Sequence, residues 1–100
     1  MNILDEAFNL KEYMVNQRNY FHSHPELGLQ EFNTCLHIEE ELNKLGIKNY
    51  RVAGTNVIAE IDSGRPGRTL FIRADIDALP IQEKNEVPYK SQNEGIMHAC

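Results

Sequence analysis

Apolar residues recur at helical intervals through the first part of the chain. Ile3, Ala7, Leu10, Met14 and Phe21 advance by threes, fours and one double step, which predicts a helix over about 3–21. Asp5 and Glu6 fall in its first turn, where the helix dipole favours acids. Pro25 forbids continuation and confines His24 to extended conformations, and Gly28 then adds a turn. A second helix is predicted from about Glu31 to Leu45. Phe32, Cys35, Leu36, Leu42 and Leu45 share one side of it, while Glu39, Glu40, Glu41 and Lys44 face water. Gly46 followed by apolar Ile47 is the pattern of a Schellman stop, in which a left-handed residue ends the helix and the next apolar side chain folds back.

Beyond Gly54-Thr55-Asn56, a turn signal, the period changes to two. Val57, Ala59 and Ile61 alternate with Ile58 and Glu60, as in a half-buried strand, and Ser63-Gly64-Arg65-Pro66-Gly67 supplies the next turn. Leu70 to Ala74 is apolar on both faces and reads as a central strand covered on both sides. From Leu79 the pattern is irregular. The order is helix, helix, strand, strand, an α/β arrangement without internal repeat. A buried central strand with open edges and one bare face needs more chain to complete it.

Composition narrows the function classes. A chain of 100 residues that is 41% hydrophobic and 25% charged is ordinary for one small folded domain and excludes disordered and collagen-like readings. Its net charge of −5, with basic residues scattered, argues against nucleic acid as a partner. No apolar run approaches the roughly 20 residues that cross a bilayer, and the acidic N-terminus is no signal peptide. Two cysteines, Cys35 and Cys100, make no disulfide framework, so a cytosolic compartment is expected.

The candidate chemistry lies late. Asp75 and Asp77 follow the carboxyl end of the predicted central strand, where α/β sheets place ligand sites. Spaced by two in an extended segment, they point the same way; the plain alternative is that they end the strand before Pro80. His98 and Cys100 are an imidazole and a thiolate, good ligands for zinc, cobalt or manganese-type ions. The alternative there is a structural cysteine and a locally bonded histidine. A metal site takes three or four protein ligands, and these segments gather too few. The expectation is therefore the opening portion of an enzyme. His22 and His24, beside Pro25, are read as loop-ordering residues bonded to backbone groups, and neither Cys35 nor His37 is given a function.

Taken together, these segments resemble the M20 metallopeptidase family, in particular its amidohydrolase branch of hippurate hydrolases, N-acyl-amino-acid deacylases and indole-acetyl-amino-acid hydrolases. The likeness runs through Arg18, His22, Pro25-Glu26-Leu27-Gly28 and Glu31; Thr34, Leu42 and Gly46-Ile47; Pro66-Gly67; Arg73-Ala74-Asp75-Ile76-Asp77-Ala78-Leu79-Pro80-Ile81 and Glu83; and Gly95-Ile96-Met97-His98-Ala99-Cys100. The resemblance implies an α/β fold with a mixed sheet flanked by helices, residues 1–100 being the N-terminal portion of one catalytic domain. It implies two divalent metal ions (manganese, zinc, cobalt or nickel) and an N-acyl amino acid substrate. Cys100 matches a metal ligand, and His98 is left unassigned. Asp77 matches an aspartate that supports a ligand from behind. Asp75 stands where other branches carry a ligand histidine, so it receives only a neighbouring role. The family's paired glutamates, one of them the general base, have no counterpart in these residues, nor have its later histidines and its smaller dimerisation domain; a homodimeric parent is one arrangement it allows. On this reading the 100 residues alone do not turn over substrate.

Two rivals stand beside it. One is a non-catalytic remnant or binding module. The other is an Asp-x-Asp phosphohydrolase, disfavoured because Leu79 stands where that motif wants Thr or Val and because two helices precede the strand.

Overall fold

The computed structural model describes residues 2–100. Three helices precede a β-hairpin: α1 (Ile3–Asn9), α2 (Lys11–Ser23), α3 (Phe32–Lys44), β1 (Lys48–Val52) and β2 (Asn56–Glu60). The predicted first helix is thus two. Asn2 caps α1 by accepting from the Leu4 and Asp5 amides, and the chain breaks at Leu10, which ends α1 and opens α2. Leu10 keeps an αR backbone (φ −89°, ψ 0°), so periodicity alone reads straight through the break.

The second helix lies where its pattern predicts. Its N-terminal amides are met by a residue six or more positions upstream: the Glu26 carboxylate accepts from Asn33 and Thr34. Its end is the Schellman arrangement in full, with the Ile47 amide donating to Leu42 (3.0 Å), the Gly46 amide to Asn43 (3.0 Å), and Gly46 at φ +71°. Nothing lies within 4 Å of a Cβ added there. Gly46→Ala should therefore cost about 1 kcal/mol from backbone conformation alone, read as a lower urea midpoint with an unchanged helical circular-dichroism signal. A larger loss would mean that the turn is packed.

The sheet is an antiparallel ribbon, Lys48 opposite Glu60 through Val52 opposite Asn56, closed by a turn in which Ala53 (φ +53°) and Gly54 (φ +81°) are both left-handed. Parallel pairing occurs at one isolated bridge, Leu27 with Ala78, and antiparallel pairing at another, Leu79 with Met97. The predicted central strand over Leu70–Ala74 does not form. Leu70, Phe71 and Ile72 are 83%, 80% and 81% exposed, and no strand lies beside them among the described residues. A strand exists only through its ladder partners, and an apolar pattern does not create one.

The buried interior is small. Cys35 and Ala78 are its hydrophobic members, while Phe32, Leu36 and Leu45, expected on the buried side of α3, are 53%, 51% and 63% exposed. The radius of gyration is 15.7 Å, against roughly 13 Å for a compact chain of this length. Between α2 and α3 the contact is aromatic: the His37 ring stacks on Tyr20 at 3.8 Å and its Nε2 meets Gln17 Oε1 at 2.6 Å. Burial pushes the His37 imidazole below its ordinary pKa.

Candidate functional site

Polar side chains occupy much of the buried space, and Glu83 is the central one. Its side chain is fully enclosed, with the residue 2% exposed. Its carboxylate accepts from the Ser91 amide (2.7 Å), from Asn85 Nδ2 (3.1 Å) and from His22 Nε2, which lies 3.0 Å from each oxygen. The Ser91 amide first, and then His22, hold its pKa down at about 2, below the ordinary 4.5. A carboxylate can only accept, so His22 carries its proton on Nε2.

Glu83 thereby ties the end of α2 to the segment leading into His98 and Cys100. Further bonds fasten the same two stretches: the Gln92 amide to the Ser23 carbonyl (2.9 Å), Asn93 Nδ2 to the Pro25 carbonyl (2.7 Å) and the Gly95 amide to Gln82 Oε1 (2.6 Å). Leu79 and Met97 exchange both amides (2.9 and 3.0 Å). The irregular tail is thus held by side-chain and isolated backbone bonds rather than by a sheet.

Beside His22 lies an open cavity of about 420 Å³, with Arg18, Asp75, His98 and Cys100 also in its wall. Two segments chosen from the sequence for separate reasons, Asp75 and the His98–Cys100 end, therefore meet. Asp75 is exposed and pairs with Arg73 (2.8 Å). Asp77 is not in the wall; its carboxylate lies toward Gly28, 3.9 Å from where a Cβ there would stand. Of the two aspartates, Asp75 is in the cavity wall, while Asp77 lies beside Gly28 and acts on the His98 ring.

Cys100 is exposed and unpaired. His98 Nε2 is enclosed and has no hydrogen-bond partner. Burial and then nearby His22 push the His98 imidazole below its usual pKa, opposed by the Asp77 carbonyl and carboxylate. A thiol and a neutral imidazole on one cavity wall suit a divalent transition metal. Among the described residues, however, no three His, Cys, Asp or Glu side chains stand together closely enough to hold an ion.

His24 behaves as a loop-ordering residue: its Nδ1 lies 2.9 Å from the Tyr20 carbonyl. His22 does not, since its partner is the Glu83 carboxylate and not backbone. That pair joins residues 61 positions apart, and the only trace of it in the sequence is that both belong to the motifs named above. Cys35 is buried and burial raises its thiol pKa, which leaves it inert.

Residues 71–100 match the family model described as Peptidase family M20/M25/M40. Uncharacterised hydrolases of Staphylococcus aureus are 47% identical over 92 residues, which is 92% of this chain and 24% of theirs. Among solved structures, the Bacillus subtilis YXEP protein, described as a dinuclear metal binding peptidase from the M20 family, superimposes with a TM-score of 0.85 at 44% identity, over 89% of this chain and 26% of that one. A candidate aminohydrolase from methicillin-resistant S. aureus gives 0.93 at 39% identity, over 98% and 26%. The chain spans about a quarter of the length of the curated relatives it matches.

Proposed function

The chain belongs to the M20 peptidase family, and from that premise we propose that it is the N-terminal part of a metal-dependent amidohydrolase that cleaves the amide bond of N-acyl amino acids. Residues 1–100 would form one edge of its catalytic domain. The observation that carries the reading is the cavity whose wall Asp75, His98 and Cys100 share. The exposed apolar run Leu70–Ile72 supports it too, because a self-standing binding module would cover those side chains.

In this reading Cys100 supplies a thiolate ligand to a site of two divalent ions, and Asp77 holds the geometry from behind, beside Gly28 and the His98 ring. Asp75 stays a neighbour, engaged by Arg73. Bound divalent ions supply polarisation of the amide carbonyl and an acidified water. Glu83 and His22 keep the wall fixed, and Ile76, with Phe21, gives the acyl group an apolar surface. The two unpaired cysteines suit a cytosolic setting. Among the described residues no helix is long and apolar enough to cross a membrane.

The test is amino acid release by the full-length protein from benzoylglycine and N-acetyl amino acids, before and after chelation, with manganese, zinc, cobalt or nickel restored. Release abolished by chelator and regained with metal is expected. Turnover that survives complete metal removal would end the reading. Magnesium-dependent phosphate release from an aryl phosphate, with no amide cleavage, would put the phosphohydrolase in its place.

A further inference from the structure

Arg18 is the one cationic side chain in the cavity wall that always carries its charge, and it is held there by a relay of contacts. Its guanidinium carbon lies 5.0 Å over the Tyr89 ring. The Tyr89 ring meets the His22 ring edge to face, at 5.6 Å and 83°. His22 is fixed in turn by the buried Glu83 carboxylate. A flexible, exposed side chain of the cavity wall is thus given an aromatic platform whose own position is set from the interior.

Its charge is otherwise unused. Among the described residues, the Arg18 side chain makes one hydrogen bond, Nη1 donating to Asn19 Oδ1 at 3.2 Å, and no ion pair. The carboxylate nearest in kind, Asp75 of the same wall, is already paired with Arg73. The planar fork therefore keeps donors free, and that fork matches a carboxylate with two parallel hydrogen bonds.

Beside His22 and Thr34, the wall combines three kinds of side chain: the polar Asp75, His98 and Cys100, the apolar Phe21, Ile38 and Ile76, and the cation Arg18. An N-acyl amino acid also has three parts: a scissile amide, an acyl group and a free carboxylate. We infer that Arg18 receives the carboxylate, making it a residue that selects N-acyl amino acids over their uncharged counterparts, with Tyr89 and Glu83 as its positioning residues. This rests on the amidohydrolase reading above and adds the element that sets its specificity.

The experiment compares kcat/KM of the metal-loaded full-length protein for benzoylglycine and for benzoylglycinamide, which differ only in the carboxylate. The native protein should prefer the acid. Arg18→Met should reduce that preference by about 10- to 100-fold, the worth of one charge-assisted pair, and the loss should fall on KM. Arg18→Lys keeps the charge without the fork and should restore part of it. A preference unchanged in Arg18→Met, or equal losses for both compounds, overturns the assignment. If the native protein cleaves neither compound, the amidohydrolase reading falls separately. Calorimetric binding of benzoylglycine then decides the anchor: equal affinity in the native protein and Arg18→Met overturns it, and weaker binding in the variant upholds it.

Discussion

Replacing Glu83 with glutamine will lower the thermal midpoint by roughly 10 °C or more and open the segment around Ser91 to hydrogen exchange. The expectation follows from what the carboxylate holds. It accepts from His22, Ser91 and Asn85 at one enclosed point, and an amide oxygen of the same shape cannot serve all three. It also turns one of its two faces from acceptor to donor, setting an N–H against the Nε2–H of His22. Each buried donor that loses its partner costs more than an average hydrogen bond contributes. The pH dependence gives an independent reading. The Glu83 carboxyl titrates at about 2 in the fold and ordinarily at 4.5, so between those values the unfolded chain binds the proton and the folded chain does not. The stabilisation is fully present above about pH 4.5 and is lost as pH falls toward 2. Glu83→Gln should flatten that acid limb as well as lower the midpoint. A variant with native stability and an intact acid limb would show that the hub does not hold the fold together.

How much of this was legible depends on the range of the interaction that decides each element. The α3 helix and its stop are set locally: Gly46 must be left-handed, Ile47 folds back on Leu42, and both facts lie in neighbouring residues. The break at Leu10 is also local, yet it leaves an αR residue in place and does not disturb the apolar spacing. The strand β1 was missed because Lys48-Asn49-Tyr50-Arg51-Val52 carries polar side chains on both faces. Its pairing comes from the hairpin turn and from β2. Over Leu70–Ala74 the reverse holds, an apolar run without a partner beside it. The site divides in the same way. Asp75 and Cys100 could be singled out by residue type and motif, and the structure brings them to one cavity. The place of Asp77 could not be read, since it is set by Gly28 and His98, residues far from it in sequence. The burial of Glu83 was equally hidden, because a glutamate in a polar stretch reads as solvated until its three donors are known.

On the proposed amidohydrolase reading, Cys100→Ser should give the largest loss of activity of any single change in these residues. In the full-length protein, loaded with metal, turnover of an N-acyl amino acid should fall by more than about 100-fold, beyond the range typical of residues that only orient a ligand. On the proposed reading Asp77→Asn should fall within that range, about 10- to 100-fold, because it keeps the shape beside Gly28 and removes the charge proposed to support the site. Asp75→Asn should cost less than about 10-fold, its carboxylate being exposed and shared with Arg73. The order carries more meaning than any one value, since a misfolded variant would lower activity without regard to it. Two further readings separate a ligand from a bystander. Bound metal per protein should drop in Cys100→Ser and hold in Asp75→Asn. With cobalt in the site, the thiolate-to-metal charge-transfer absorption should be present in the native protein and vanish in Cys100→Ser, because only a coordinated thiolate produces it. If Cys100→Ser keeps both its metal and its turnover, the thiol at the cavity wall is not a ligand, and the proposed role of Cys100 is overturned.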